Sequence, residues 1–387
     1  MFKVVLWDYT GESAQWAKNF LGDDVEIVRT LRPEDTEQSE FIMSGDWNFV
    51  LIFEKDRRDF FNETLAGMKD KNFSTRNIIF AKDFDSWLNN PAAIYSLLKP
   101  EVCGNFYRSL NFSQHRNFHR YISASAGDLH YLATSADNFV IRHIYVTGKN
   151  HTEDEMKVFY ALTKKYCNVD TTGGGIFLEL GANIGTAGIY FCKKVVPNLT
   201  WLAFEPDAEN FKLLRINKIL NDLDDRAVLV RCGVSDKFDT LTMYRNLSNP
   251  GGNGMFNNLL PNENFPEETI KVIPLDAYFE ENELPASAVK YIWMDTEGYE
   301  ANVLLGAKKL LKENPAPIFS EFNPAAWNKT GNLENAVSLL KEAGYTRVIW
   351  VFELMQKRKE NIYPIDWILN WKNSDAWIGS LGDIFIF

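Results

Sequence analysis

The fold is decided by the segment ELGANIGTAG at residues 179–188. It continues an apolar run, IFLEL at 176–180, that is typical of a buried parallel strand, and it leads into residues with helical spacing. Glycines in such a strand-to-helix turn permit a tight bend and the close approach of a ligand to the backbone. The turn therefore predicts a nucleotide-type site at the N-terminus of a helix, where free N–H groups and the positive end of the dipole lie.

Strands and helices alternate regularly from this turn onward. The predicted strands are 176–180, 200–204, 227–232, 289–294, 317–321, 346–352 and 383–387, and the predicted helices are 186–194, 208–220, 301–313 and 333–343. This rhythm predicts an α/β fold with a doubly wound, seven-stranded sheet. The last strand has no helix after it, so we expect it to be inserted antiparallel by a connection from the sixth strand. Residues 241–244 and 269–273 predict an inserted hairpin.

The rest of the chain predicts two further regions before the domain at 171–387. Residues 1–100 alternate short apolar runs with helical patterns, including a helix at 57–69, and predict a small α/β domain of unknown role. Residues 101–170 predict a helical and hairpin connecting region, with the hairpin arms at 131–134 and 139–146.

Two acidic residues narrow the choice of ligand. Glu205, followed by Pro206, ends the second strand, where a carboxylate accepts hydrogen bonds from ribose hydroxyls in both nicotinamide and S-adenosylmethionine sites. Glu179 lies where a dinucleotide would place its pyrophosphate, and like charges at ~4 Å cost several kcal/mol in a partly desolvated site. A sulfonium and an ammonium group would instead be attracted. Asn183 also replaces the second glycine of the dinucleotide pattern. We therefore expect S-adenosylmethionine, with a dinucleotide or no cofactor as alternatives.

Further acidic residues follow the later strands. Ser235 and Asp236 follow the third strand and are predicted to meet the adenine edge, or else to cap a turn. Asp295 and Glu297 follow the fourth strand, and Glu321 ends the fifth. These three carboxylates would bind the methionine end of the cofactor, deprotonate an acceptor hydroxyl or hold a divalent cation. The sequence leaves these roles open, and no ligand pattern in it supports a metal.

Together these motifs resemble the FkbM family of methyltransferases over about residues 130–387. The resemblance is carried, in order, by ELGANIG at 179–185, FEP at 204–206, SD at 235–236, LD at 275–276, DTEGYE at 295–300 and Glu321. It implies a class I methyltransferase fold and transfer of a methyl group from S-adenosylmethionine, typically to an oxygen of a sugar or other natural product. Glu179 departs from the usual Asp but keeps the charge. The resemblance does not reach the first 100 residues.

The implied site consists of two sets of residues. The cofactor-binding set is Glu179, Gly181, Ala182, Asn183, Gly185, Glu205, Pro206, Ser235, Asp236 and Asp295, and the catalytic set is Asp295, Glu297 and Glu321. We expect the acceptor to be a glycan or small molecule. Its pocket is predicted to include a mobile polar lid at 246–266 and aromatic residues of segment 354–380, which carries Tyr363, Trp367, Trp371 and Trp377 and has packing in the core as the alternative.

Composition excludes several other classes of protein. A net charge of −11 without a basic run argues against nucleic-acid binding. The four cysteines have no CxxC spacing, which predicts free thiols in a reducing compartment. The sequence shows no signal peptide and no membrane span, so a cytoplasmic protein is expected. A homodimer stays open. Two other functions also stay open: a nicotinamide-dependent oxidoreductase and a non-catalytic assembly module with a methyltransferase-like fold.

Overall fold

A computed structural model describes residues 2–8, 10–32, 47–53, 78–81, 87, 91–256, 265–357, 359–370 and 382–387. The chain divides into two compact units, Met1–Asn111 and Phe112–Phe387. The predicted boundary at residue 100 therefore lies 11 residues earlier than the observed one. Residues 112–170 do not form a separate region, because they pack into the core of the second unit.

The first unit contains a parallel sheet. Its described strands are β1 Phe2–Asp8, β2 Val25–Leu31, β3 Phe49–Phe53 and β4 Ile78–Phe80, in the order β2-β1-β3-β4. Helix α1, Ser13–Phe20, follows β1, and α2, Pro91–Leu97, precedes α3, Pro100–His115. The carboxylate of Asp8 accepts hydrogen bonds from the N–H groups of Thr10, Gly11 and Ser13 at 2.8–3.0 Å, so it caps α1. The predicted helix at 57–69 lies outside the described residues.

The second unit is built on a large mixed sheet with helices on both faces. Its strands are β5 Tyr121–Ala126, β6 Leu129–Thr134, β7 Ile176–Leu180, β8 Thr200–Phe204, β9 Ala227–Val230, β10 Gly233–Val234, β11 Asp239–Tyr244, β12 Glu267–Ile273, β13 Val289–Met294, β14 Ile318–Phe322, β15 Arg347–Trp350, β16 Ile362–Pro364 and β17 Gly382–Ile386. Its helices are α4 Val140–Thr147, α5 Glu153–Tyr166, α6 Thr186–Tyr190, α7 Ala208–Leu220, α8 Leu275–Glu281, α9 Glu300–Leu305, α10 Lys308–Glu313, α11 Pro324–Trp327, α12 Leu333–Glu342, α13 Val351–Lys357 and α14 Trp367–Asn370.

The main sheet has the order β16-β15-β17-β14-β13-β7-β8-β9. Strands β13, β14, β7, β8 and β9 are mutually parallel, whereas β17 lies antiparallel between β14 and β15. Strands β8 and β9 follow one another on one side of β7. The chain then returns and adds β13 on the other side of β7. The strand order thus reverses between β7 and β13, where the carboxyl ends of the strands open a crevice for ligands.

The sheet is held by apolar layers on its two faces. Ile176, Leu178 and Leu180 belong to one buried cluster, whereas Phe177 belongs to the other, together with Trp201. This alternation is the period-two pattern of a strand that is covered on both sides. It fixes the register of β7 and therefore the position of the turn that follows it.

Three details differ from the sequence prediction. The described sheet has eight strands rather than seven, because β16 adds to β15 as an antiparallel edge strand. The predicted hairpin between 131–134 and 139–146 is wrong: residues 131–134 do form a strand, within β6, but β6 pairs with β5, and residues 140–147 are helical. The cause is Asp137, whose carboxylate accepts from the N–H groups of Phe139, Val140 and Ile141 and so starts a helix. The predicted helix at 301–313 is two helices, α9 and α10.

The inserted hairpin forms a small sheet of its own. Strands β11 and β12 pair antiparallel, as predicted, and β10 adds parallel to β12. None of the helices that the structure describes is long and apolar enough to cross a membrane.

Candidate active site

A cavity of about 330 Å³ opens at the carboxyl ends of β7, β8 and β13. This volume is in the range of small-molecule sites. The predicted residues that line it are Glu179, Gly181, Ala182, Asn183, Glu205, Pro206, Asp295 and Glu297. The predicted residues Gly185, Ser235, Asp236 and Glu321 are described by the structure but do not line it.

The backbone N–H groups of the glycine turn are already used within the protein. Gly181 and Ala182 both donate to the carbonyl oxygen of Phe204 at 3.0 Å. The N–H of Asn183 donates to Oε2 of Glu205 at 2.7 Å. A pyrophosphate bound here would need these donors. These three donors are therefore not free for a phosphate group, and that of Asn183 aligns the carboxylate of Glu205.

Gly181 and Gly185 are both required to be glycine by a positive φ, but the atoms that exclude a Cβ differ between the two positions. Gly181 has φ +86°, and a Cβ atom on it would clash with the backbone carbonyl of Asp295, so the loops after β7 and β13 touch here. Gly185 has φ +90°, and its Cβ would meet Leu214 at 2.7 Å and Trp201 at 2.8 Å. Gly185 thus permits packing of the first helical turn rather than contact with a ligand.

Glu179 is buried in the cavity wall with only 1% of its surface exposed. The indole Nε1 of Trp201 donates to its Oε2 at 2.5 Å, and the N–H of Gly188 donates to its Oε1 at 3.3 Å. The pKa of Glu179 is raised to about 8, mainly by burial, with smaller contributions from the charges of Asp295 and Glu205, while the two hydrogen bonds act in the opposite direction. A bound cation would reverse this effect, because it favours the ionised carboxylate.

Glu205 directly follows β8 and is 5% exposed. Its Oε1 accepts from the N–H of Asp207 at 2.8 Å, and its Oε2 accepts from Asn183. Burial raises the pKa of Glu205 to about 8, with smaller contributions from the charges of Asp207 and Glu268. Each carboxylate oxygen has a second lone pair, which is free to accept from ligand hydroxyls.

The turn after β9 presents different residues from those predicted. The cavity is lined here by residues 232–234. The hydroxyl of Ser235 donates to Oδ1 of Asp236 at 2.9 Å, and Asn302 donates to the same oxygen at 3.2 Å. Ser235 and Asp236 therefore hold loops together in this structure, which is the turn-capping alternative.

A group of carboxylates lies where β13 and β14 end, and two of its members, Asp295 and Glu297, line the cavity. One oxygen each of Asp295, Glu297 and Glu321 lies within 4.8 Å of the other two. Burial raises the pKa of Asp295 to about 6 and that of Glu297 well above its ordinary value. Burial and neighbouring acids also raise the pKa of Glu321. Asp383, which lies opposite Glu321 in the β14–β17 pair, has its pKa raised to about 8, mainly by burial.

The turn that carries Glu297 is held by a second acidic residue. Glu297 has φ +53° and Gly298 φ +91°, so both are left-handed. Glu300 is fully buried, and its Oε1 accepts from the N–H of Thr296 at 2.8 Å, the hydroxyl of Thr296 at 3.0 Å and the N–H of Gly298 at 3.3 Å. These bonds stabilise an uncommon backbone conformation that directs Glu297 to the cavity.

The predicted lid is anchored in its first half. Arg245 donates from Nε to Oδ2 of Asp207 at 2.7 Å, and Asn253 donates to the same oxygen at 3.2 Å. Residues 249–251 and 253–255 line the cavity, while 257–264 lie outside the described part. The sequence prediction missed Asp207, although an Asp directly before a helical run is a typical N-cap.

Several other residues of the cavity were not predicted. His151, Thr152 and Glu155 reach it from the start of α5, and Asp383 reaches it from β17. No local sequence motif marks these four residues. In addition, α5 precedes the glycine turn, in a region that the sequence predicts to lie outside the domain at 171–387.

The aromatic residues of the segment 354–380 that are described do not line the cavity. Tyr363 and Trp367 stack at 4.7 Å and pack against the core, which is the alternative to an acceptor pocket. Trp371 and Trp377 lie outside the described residues.

Residues 179–347 match the family described as the Methyltransferase FkbM domain. Over these residues the chain is similar to the FkbM methyltransferase domain. The resemblance inferred from the motifs is thereby confirmed, over a shorter range than 130–387. The described cavity extends beyond the matched residues on both sides in sequence, since it includes His151 before them and Asp383 after them.

Solved structures give distant similarities. The FkbM methyltransferase of Methylobacillus flagellatus KT is 12% identical with a TM-score of 0.36, over 100% of this chain and 90% of that one. A precorrin-6y C5,15-methyltransferase of Geobacter metallireducens GS-15 is 12% identical with a TM-score of 0.31, over 60% and 86%. A SAM-dependent O-methyltransferase of Thermotoga maritima is 12% identical with a TM-score of 0.33, over 66% and 72%. No curated protein sequence matches the chain.

Proposed function

We propose that the second unit binds S-adenosylmethionine and methylates a hydroxyl group of a sugar, glycan or related small molecule. The observation that carries the proposal is the pair of buried carboxylates, Glu179 and Glu205, on either side of a glycine turn whose N–H groups are occupied. Such a site attracts a cationic nucleoside and disfavours a phosphorylated one. The match of residues 179–347 to a methyltransferase family supports the same ligand.

Each carboxylate has a distinct part in this proposal. Glu205 accepts hydrogen bonds from the ribose hydroxyls, because Asn183 and Asp207 fix its orientation at the end of β8. Glu179 provides negative charge behind the turn. S-adenosylmethionine supplies the methyl group: its methyl carbon–sulfur bond breaks with the electron pair remaining on sulfur, while an acceptor oxygen forms the new bond to carbon.

The acceptor side of the cavity is formed by the carboxylates where β13 and β14 end. Asp295 and Glu297 line it, with Glu321 beside them, and one of these carboxylates takes the proton of the acceptor hydroxyl. Most of the rate acceleration comes from holding the acceptor oxygen in line with the methyl carbon, which contributes up to roughly 7–11 kcal/mol in well-oriented reactions.

Calorimetric titration of the chain with S-adenosylmethionine and with S-adenosylhomocysteine tests the proposal. We expect Glu205→Gln to weaken binding by about 10- to 100-fold, since a hydrogen bond to a charged group contributes roughly 1.5–3 kcal/mol. Glu342→Gln is the matched control, because Glu342 is a surface carboxylate paired with Lys312. Undetectable binding to the unmodified chain would contradict the proposal, and stabilisation by NAD alone would favour an oxidoreductase.

A further inference from the structure

We propose that Asp295, Glu297 and Glu321 bind one divalent cation of the oxygen-preferring type, such as Mg²⁺, Mn²⁺ or Ca²⁺. One oxygen of each carboxylate lies within 4.8 Å of the other two. Oxygens on opposite sides of such an ion are about 4–5 Å apart, because each ion–oxygen distance is roughly 2.0–2.6 Å. The three side chains therefore need only small movements to close around one ion. A set made of carboxylates alone favours these ions over Zn²⁺ or Cu²⁺.

The negative charge of this group is not balanced by the described protein. Three carboxylates lie within 4.8 Å of one another here, and a fourth, that of Asp383, belongs to the residue opposite Glu321 in the β14–β17 pair. No Lys or Arg is among the described residues that line the cavity. Since one acceptor hydroxyl has a single proton to give up, general-base catalysis does not explain so many acids.

Glu300 provides a second, independent observation. It is fully buried, and its Oε2 has no hydrogen-bond partner among the described residues, although its Oε1 has three donors. Its three donors belong to Thr296 and Gly298, the residues on either side of Glu297, so this carboxylate lies at the turn that carries one of the proposed ligands. A buried acceptor without a donor costs roughly 1–3 kcal/mol or more when it is charged. A cation or its bound water would remove that cost.

The catalytic role of the ion rests on the proposed function, whereas the binding of the ion does not depend on it. Three carboxylate ligands leave coordination positions open on an ion of this type. An acceptor hydroxyl bound there would have a lower pKa and would lose its proton more readily near neutral pH. The ion would also hold the acceptor oxygen beside Asp295, whose backbone carbonyl touches the glycine turn at Gly181.

Metal-free protein is titrated with MnCl₂, with and without S-adenosylhomocysteine, and free Mn²⁺ is followed by electron paramagnetic resonance. We expect one site, weakened at least tenfold in Glu297→Gln and in Glu321→Gln. Glu155→Gln is the matched control, because Glu155 lines the same cavity outside the three-carboxylate group, and it should change the affinity less than threefold. Melting gives a second readout. Without metal, Glu321→Gln should melt above the unmodified protein because one repelling charge is gone, and MgCl₂ should stabilise the unmodified protein but not the variant.

The possible results separate the two proposals. A chain that binds S-adenosylhomocysteine but has no Mn²⁺ site overturns the cation inference and leaves the proposed function standing. A chain that has the Mn²⁺ site but does not bind S-adenosylhomocysteine supports the cation inference and overturns the proposed function. A Mn²⁺ affinity that is the same in all variants, or is lost equally in Glu155→Gln, also overturns the inference.

Discussion

Binding of S-adenosylmethionine should become tighter as pH rises, because Glu205 must be ionised to accept from the ribose hydroxyls in the proposed way. Burial raises the pKa of Glu205 to about 8, with the charges of Asp207 and Glu268 acting in the same direction. Between pH 6 and pH 8 the ionised fraction rises from about one in a hundred to about one half, which predicts a gain of about 50-fold in affinity. Binding below pH 8 should also release protons.

Calorimetry in buffers of different ionisation enthalpy measures both quantities. Glu179 has its pKa raised to about 8 as well and titrates in the same range, so the comparison is made between the unmodified chain and Glu205→Gln. The variant should lose the part of the pH dependence that Glu205 causes, and with it up to one released proton. Equal pH profiles for the two proteins would refute the assignment of Glu205 as the ribose ligand.

Stability in the absence of ligand gives an independent check on the same residue. Since its folded pKa lies above the unfolded value of 4.5, the folded state of the protein binds more protons than the unfolded state between these two pH values. The contribution of Glu205 to the free energy of unfolding must therefore fall as pH rises from about 4.5 to about 8. Glu205→Gln should consequently melt above the unmodified protein at pH 8 and close to it at pH 5.

Three further expectations concern stability and the insert. Gly188→Ala should lower the free energy of unfolding by about 1–3 kcal/mol in urea denaturation, because its Cβ would clash with Trp201; unchanged stability would contradict the packing. Asp8→Ala should speed hydrogen exchange in α1 at pH 7 by an amount equivalent to about 1–2 kcal/mol. The pKa of Asp8 is lowered from 3.8 to about 2 in the folded protein. The stabilisation that Asp8 provides is therefore present above pH 3.8 and is lost as pH falls through about 2, so the variant and the unmodified protein should then exchange alike. Arg245→Ala leaves the buried carboxylate of Asp207 without its ion pair, so exchange in residues 245–256 should increase and S-adenosylmethionine binding should weaken; exchange confined to other segments would contradict this.

Local chemistry explains which parts of the site could be predicted from the sequence. The turn at 179–188 is recognisable because Gly181 has both a left-handed φ and no room for a Cβ, so the residue type reports the backbone directly. Glu205 is recognisable because it directly follows β8, the buried strand that pairs with β7, and β7 leads into this turn.

Other residues depend on distant parts of the chain. Asp383 faces the cavity only because β17 pairs with β14 in a register that puts it opposite Glu321, and no local pattern encodes that register. The segment at 140–147 is rich in β-branched residues, yet the cap at Asp137 and burial of Val140, Ile141 and Ile144 make it a helix. The sequence predicts the turn that carries Ser235 and Asp236, but it does not predict which residues of this turn face the cavity; in the structure these are residues 232–234.

The position of β17 has a consequence for synthesis of the chain. The other seven strands of the main sheet precede Gly382–Ile386 in sequence, yet this strand lies between β14 and β15. During translation, β15 can pair with β16, but neither strand is joined to β14 until these five residues leave the ribosome. The edges of β14 and β15 that β17 later covers are exposed to pairing with other chains meanwhile. Completion of the main sheet thus follows synthesis of its other seven strands, and slow release or loss of this short segment should lead to aggregation rather than to a correctly folded second unit.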